Sequence, residues 1–241
     1  MKISQLLPRL FITRKCLICN EPISYDEEKP FCKNCMPQWK MLLELKCHRC
    51  GRKNDECTCL PSQIRESSKY GATWCVFYDN HSKLVANNLV FKLKREYNRG
   101  IITFFASEMA KNLKSLTIRN GINYKDAIIT YAPRRKKGRY YYGFDHSKKL
   151  ALSLGKILGV KVKRMLINKG KKAQKLLTKE KRRENAIVSY KAIKRLNIKD
   201  KTIFLVDDII TSGSTMKACA DLLYNRGAKT VLPVAYAKDN R

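Results

Sequence analysis

The sequence predicts an α/β protein, a doubly wound parallel sheet preceded by a small cysteine-rich domain. Three observations predict it. Short apolar runs alternate with amphipathic helical stretches from about residue 72 to residue 236. Eight of the ten cysteines fall in pairs between Cys16 and Cys59. The 241 residues leave room for one mid-sized domain and a small one, and 44% apolar content suffices for a core. The expected division is 1–62 for the cysteine domain and 70–241 for the α/β domain. The stretch 60–69, with Pro61 and several Ser, Gln and Glu residues, reads as the linker.

The elements follow in order. A strand is expected over 72–78. Helices are expected over 82–94 and 103–116, the second with Phe105, Met109, Leu113 and Leu116 on one face. A strand over 127–131 ends at Pro133. A helix over 147–158 stops at Gly159, a residue suited to a C-terminal cap. A strand over 160–166 and a weak helix over 179–190 come next. The apolar run 203–206 reads as the central buried strand. A helix from Ser214 ends near Gly227, and 230–236 is the last strand.

The run from Ile203 to Thr215 carries the chemistry. Asp207 and Asp208 follow the central strand, and Thr211, Ser212, Gly213, Ser214 and Thr215 form a small-residue loop that opens a helix. Met216, Cys219 or Ala220, and Leu223 would lie on its buried face. Backbone N–H groups and the positive end of a helix suit a phosphate. Hydroxyls add donors, and Gly213 lets the backbone come close. Two adjacent carboxylates are poor for a strand but suit a ribose diol, directly or through Mg²⁺. The ligand expected here is a phosphorylated sugar.

The cysteine pairs are Cys16-x2-Cys19, Cys32-x2-Cys35, Cys47-x2-Cys50 and Cys57-x-Cys59. Two-residue spacing lets one turn present two thiolates to one metal. The expected cofactor is structural zinc, one or two ions. Sequential pairing would give Cys16, Cys19, Cys32 and Cys35 for one site, and Cys47, Cys50, Cys57 and Cys59 for the other; interleaved pairing is the alternative. His48, inside a turn, is expected to point to solvent. Cys75 and Cys219 are expected to be packed thiols.

The charge is extreme: 51 Lys and Arg against 20 Asp and Glu give +31. Such an excess attracts polyanions, nucleic acid first and anionic lipid second. Two stretches concentrate it. Arg134, Arg135, Lys136, Lys137 and Arg139 precede Tyr140, Tyr141, Tyr142 and Phe144, a pattern suited to single-stranded nucleic acid because cations meet phosphates while rings stack on bases. The second stretch, 161–183, holds eleven Lys or Arg against Glu180 and could cover the ligand. The residues 1–11 are amphipathic and too short to span a bilayer, and no run of about 18 apolar residues occurs. The expected location is the cytoplasm, or the inner face of the membrane as a peripheral protein.

The Asp207 to Thr215 run resembles the 5-phosphoribosyl 1-diphosphate (PRPP) motif of type I phosphoribosyltransferases. Together with the cysteine pairs, the chain resembles the ComF family, in its ComFC-type form with an N-terminal double zinc ribbon. Gly143-Phe-Asp-His146 stands where that family has Gly-Phe-Asn-Gln. Gln174, Leu177, Arg182 and Asn185 match its Gln-x2-Leu-x4-Arg-x2-Asn signature, and Lys94 matches a basic position. One departure is Tyr131-Ala-Pro-Arg134 in place of Pro-Val-Pro-Leu, in a neighbourhood that helps active transferases bind pyrophosphate. The resemblance implies an accessory protein of DNA uptake in natural transformation. It would bind single-stranded DNA, with Lys94 and Arg182 among the contacts, and a PRPP-like ligand with Mg²⁺. Its implied partners are a DNA-uptake helicase and a DNA-processing protein. The alternative is an active phosphoribosyltransferase of nucleotide salvage, although no residue names a base.

Overall fold

In a computed structural model the described residues are 14–24, 27, 29–78, 85–170 and 186–240; the side chains of 85–87, 94, 139 and 142 are left aside. Four strands form one parallel sheet: β1 (Val76–Tyr78), β2 (Ile128–Tyr131), β5 (Thr202–Ile210) and β6 (Thr230–Asp239), in the order β1-β6-β5-β2. Strands β3 (Leu166–Asn168) and β4 (Tyr190–Ala192) pair antiparallel as a separate small sheet.

Helices cover both faces of the parallel sheet, as the near-continuous apolar runs of its strands require. Alternation along β5 sends Phe204 and Val206 to one face and Ile203 and Leu205 to the other. On the first face lie α4 (Arg99–Arg119) and α6 (His146–Leu158), with Phe105 stacked on Tyr236 at 3.4 Å between ring centroids. On the second lies α7 (Ser214–Tyr224), burying Met216, Cys219, Ala220 and Leu223. Helix α6 ends at Gly159 in the left-handed conformation, as its sequence predicts.

The cysteine-rich segment packs directly on this body. Its helix α1 (Met36–Leu43) starts with a proline in the first turn and buries Trp39 and Leu42. Phe31 and Trp39 stack at 5.2 Å, and Phe104 of α4 meets both edge-on at 5.1 and 5.0 Å. From α3 (Val85–Arg95), Lys92 Nζ donates to the carbonyls of Leu17 and Ile18 at 3.2 and 2.8 Å.

Three expectations need correction. The presumed linker contains α2 (Ser62–Ser67), a helix packed on α7, with Ile64 fully buried among the residues of the second face. One apolar residue on a short turn suffices to dock it, a signal too small to stand out beside Pro61 and its polar neighbours. The strand expected over 160–166 is not continuous. Its alternating charges leave only Val162 to bridge Ile129 in parallel, and the chain then turns into β3. Finally, β5 does not end at Val206. It runs on to Ile210 and holds Asp207 and Asp208 within the strand, Asp207 being paired with Ala235 of β6. The signature residues Gln174, Leu177, Arg182 and Asn185, and most of the weak helix over 179–190, lie outside the described residues.

Candidate functional site

The carboxyl end of β5 carries the two acids, and the tip of α6 reaches them. Asp145 caps α6: its Oδ1 accepts from the Lys148 backbone N–H at 3.2 Å and its Oδ2 from that of Arg134 at 2.9 Å. One buried carboxylate thus fixes both the helix start and the loop that leaves β2. The cap aims the first turn of α6 at β5. Ser147 Oγ donates to Asp207 Oδ1 at 3.0 Å, and His146 Nε2 lies 3.0 Å from Asp208 Oδ2. The Asp208 backbone N–H also donates to Asp207 Oδ1, at 2.9 Å. Burial, and then the charge of Asp208, push the Asp207 carboxyl well above its ordinary range, and these hydrogen bonds to it pull the other way.

The loop follows. Gly213 adopts φ 78°, the left-handed conformation, at the N-cap of α7. A Cβ added there would come within 2.9 Å of Ile64 Cγ1, so α2 forms the floor of the loop. Ser212 and Ser214 hydroxyls share a hydrogen bond of 2.9 Å, and Thr211 is exposed. Gly213 brings no side chain to cap α7; the Ser214 N–H makes only a long hydrogen bond, 3.4 Å, to Ser212 Oγ, and a helix N-terminus of this kind suits an anion. Behind the loop stands Tyr190. Burial pushes its phenol well up, the charges of Cys219 and Asp207 add to this, and hydrogen bonds with Thr215 and Asn168 oppose it. Asn168 in turn donates to the Pro133 carbonyl at 3.1 Å.

Sequence reasoning missed Tyr190, Ser147 and the contact of His146. Tyr190 fell in a stretch with helical character, and nothing in its neighbours marks it. For His146 and Ser147 a signal existed, since Asp145 is a capping residue opening a helix that must return to the strand ends.

The basic-aromatic stretch folds as a short helix, α5 (Lys136–Tyr142), leaving the carboxyl end of β2. Tyr140 and Tyr141 are 92% and 79% exposed, Lys136 and Lys137 are exposed, and Arg134 and Arg135 are half-buried. Phe144 is not in line with the tyrosines; it meets Tyr97 edge-on at 5.9 Å, and Lys149 Nζ sits 4.9 Å over the Tyr97 ring. Tyr97 is a ring that the sequence reading did not single out. The Arg139 and Tyr142 side chains and Arg182 lie outside the described residues, and Lys94 is placed in α3 without its side chain.

The cysteines gather in sequence order. Cys16, Cys19, Cys32 and Cys35 bring their sulfurs within 4.8 Å of one another, as do Cys47, Cys50, Cys57 and Cys59. The shorter spacing of Cys57-x-Cys59 does not spoil the second set. The Cys19–Cys32 and Cys50–Cys57 sulfurs are 3.6 and 3.8 Å apart, too far for a bond. A tetrahedral zinc with Zn–S bonds of about 2.3 Å sets sulfurs about 3.8 Å apart, so both tetrads fit it. At Cys16 burial opposes ionisation, yet backbone groups of Cys19, Cys32 and Ile18 outweigh it and hold the thiol at about 7. At Cys47 the backbone of Arg49 and Cys50 does the same, to about 6. Burial pushes Cys57 up to about 12 and raises Cys35 strongly. In each tetrad one thiol is thus held low and another high, and a bound cation would favour the thiolate form of all four. His48 is exposed and outside the set, and Cys75 and Cys219 are buried thiols that burial pushes well up.

Residues 143–240 match the family model described as the phosphoribosyl transferase domain. That stretch is a phosphoribosyltransferase-type domain. It contains α6, the small sheet, the acid pair, the hydroxyl loop and β6. No curated protein matches the chain. Similar solved structures include phosphoribosylpyrophosphate synthetase from Mycobacterium smegmatis, at 23% identity and TM-score 0.31, covering 52% of this chain and 32% of that one. Hypoxanthine phosphoribosyltransferase from Staphylococcus aureus shows 15% identity and TM-score 0.36, with 56% and 64% covered. Hypoxanthine-guanine phosphoribosyltransferase from Schistosoma mansoni, in complex with IMP, shows 15% and 0.32, with 59% and 67% covered. The chain therefore spans about a third of the first of these proteins and just under two thirds of the second. Among the described residues no helix is long and apolar enough to cross a membrane.

Proposed function

We propose that this chain binds a PRPP-like phosphoribosyl ligand and single-stranded DNA, as a ComF-type accessory protein of DNA uptake. The observation that carries the ligand half is the meeting of Asp207 and Asp208 with the glycine-capped N-terminus of α7 across the Thr211 to Thr215 loop. The carboxylates take the ribose diol, Gly213 and the hydroxyls of Ser212, Ser214 and Thr215 take the phosphate, and Mg²⁺ would travel with a diphosphate. Support for the DNA half is α5, where two largely exposed tyrosines stand on a cationic helix at the same end of the sheet. Arg134 to Lys137 and Arg139 meet phosphates, Tyr140 to Tyr142 stack on bases, and Lys94 and Arg182 extend the track; Phe144, expected from the sequence to stack as well, packs edge-on against Tyr97 instead. Two structural zinc ions would hold together the turns of a zinc-ribbon domain, 1–62, which precedes a transferase-like domain, 70–241. A helicase and a DNA-processing protein would be its partners, in the cytoplasm or at the inner face of the membrane. The intact acid pair and hydroxyl loop favour a second reading, an active phosphoribosyltransferase of nucleotide salvage.

One preparation, zinc-loaded, titrated with PRPP–Mg²⁺ and with labelled single-stranded DNA tests both halves. DNA affinity should fall steeply with salt, each neutralised phosphate adding about 0.7 to the negative log–log slope. Replacing Arg134 to Lys137 with Ala should lower affinity and slope. Replacing Tyr140 and Tyr141 with Ala should cost about 1–3 kcal/mol per stacked base and leave the slope alone. Absence of single-strand binding with retained PRPP binding would favour the salvage enzyme.

A further inference from the structure

A groove of about 550 Å³ opens between α4 and the segment of the first cysteine tetrad. Arg14 and Lys29 line it from the cysteine segment, Arg99 and Lys111 from α4, and Glu108 is the one acid among the lining residues. Glu108 sits between two lysines, 2.7 Å from Lys29 Nζ and 3.2 Å from Lys111 Nζ. Four cations against one carboxylate leave the lining at +3. A charge run along one helix is usually a solvated face. Here the cations come from segments far apart in sequence and surround a concavity, where low-dielectric walls focus their field. The apolar lock of Phe31, Trp39 and Phe104 holds them together in spite of their repulsion. A Cβ added at Gly100 would come within 3.1 Å of Leu17 Cδ2, so this glycine lets the cysteine segment close on the start of α4. The groove is also joined to α5. Phe144, two residues past α5, meets Tyr97, and Asn98 next to Tyr97 caps α4, its Oδ1 accepting from the Ile101 N–H at 3.0 Å. Tyr97 is 56% exposed with Lys149 Nζ 4.9 Å from its ring centre, an accessible ring beside a cation.

We propose that this groove, with Tyr97 leading into it, is a second site for single-stranded DNA, taking the phosphodiesters of the strand that leaves α5. The inference rests on the DNA-binding reading and adds a place to it. It also gives the first tetrad a task beyond folding, which is to hold Arg14 and Lys29 opposite α4. The planar guanidinium groups of Arg14 and Arg99 suit two oxygens of one phosphate, and the lysines act as point charges. Tyr97 offers its face to a base between the α5 contacts and the groove. A stacked ring and phosphate contacts read no base edge, so the site is indifferent to sequence. A bilayer surface is broad and meets protruding cations, whereas a concavity between two segments fits one strand.

The test uses the zinc-loaded full chain and a long fluorescein-labelled oligothymidylate, titrated at several salt concentrations. Arg99→Ala with Lys111→Ala removes two exposed cations. It should weaken binding about tenfold or more and reduce the negative log–log salt slope by about 1.4, two phosphates at about 0.7 each. Lys199→Ala with Lys229→Ala removes the same charge at the amino ends of β5 and β6 and should bind as wild type does. Tyr97→Ala should weaken binding about fivefold or more with the slope unchanged, and Tyr97→Phe should restore it. Should the Arg99 and Lys111 variant melt early, Thr103→Glu, which sets an anion at an exposed lining position, is expected to weaken binding as much. Wild-type affinity and slope in the folded groove variant would overturn the site. An equal loss in the Lys199 and Lys229 variant would do so too, by reducing the effect to bulk charge. So would full affinity in Tyr97→Ala, or a groove variant that loses phosphatidylglycerol vesicles and keeps DNA. A wild type that binds no single strand ends the DNA reading itself. Loss confined to the Arg134 to Lys137 variant keeps that reading and removes the groove.

Discussion

The two cysteine tetrads have the same ligands and different moorings. The first is embedded: Cys16 and Cys35 belong to the main apolar cluster, and Phe31, Trp39 and Phe104 lock the segment to α4. The second is clasped by the chain's own end. Asn240 Nδ2 donates to the Lys46 carbonyl at 3.0 Å, and its Oδ1 accepts from the His48 N–H at 3.2 Å. Lys238, buried, places its ammonium 5.1 Å over both Trp74 and Phe77, and its charge lowers the Cys57 thiol against the effect of burial. Asn54 adds hydrogen bonds to the Trp74 and Cys75 carbonyls. Area removed from water holds one site, and a few directed polar contacts hold the other. The first should fail together with the fold; the second should loosen by itself.

The largest expected effect tests the embedded side. Trp39→Ala should cost about 3–5 kcal/mol and lower the single melting transition of the whole chain. A separate early transition confined to the cysteine segment would show that it is no more integrated than the second site.

Next comes the clasp. Asn240→Ala leaves the Lys46 carbonyl and the His48 N–H without their partner, at about 1–3 kcal/mol. Hydrogen exchange should speed up around residues 46–59 while the zinc content stays at two per chain by elemental analysis. Protection unchanged there would move the mooring to Lys238 and Asn54.

The smallest effect sharpens the contrast with the acid pair, whose buried carboxylate opposes folding once it ionises. Asp207 is held above its ordinary value of 3.8, so the folded chain binds that proton more tightly than the unfolded one. Its contribution is therefore greatest below that value and is lost as pH rises through the raised one. Without added divalent metal, Asp207→Asn should melt slightly higher than wild type near neutral pH, with a flatter pH dependence. Parallel curves would mean that the carboxylate is already compensated.

Much of this was legible in the chain. A strand, two acids, a hydroxyl loop and a helix are local in sequence, and their order gave the course of the chain here, although the strand runs through the acids to Ile210. Gly159 and Asp145 mark the ends of α6 because capping is also local. The spacing marked the cysteine pairs, but which pairs share a tetrad was left between sequential and interleaved sets, and only the fold brings them together in sequence order. What was hidden depends on partners far apart in the chain. Ile64 looks like any linker residue until α7 is there to receive it, Tyr190 becomes part of the site only through Thr215 and Asn168, and Asn240 only through the 46–48 turn.

Ile64 has one more consequence. The floor under Gly213 is contributed by a residue lying well outside 143–240, and even before Tyr70. A fragment trimmed at the apparent border would bare the inner side of α7 and forgo about 1.5–3 kcal/mol of burial at that one position. The hydroxyl loop and the stretch that follows the cysteine tetrads are thus neighbours by construction, and removing residues 62–67 would reach the backbone at Gly213.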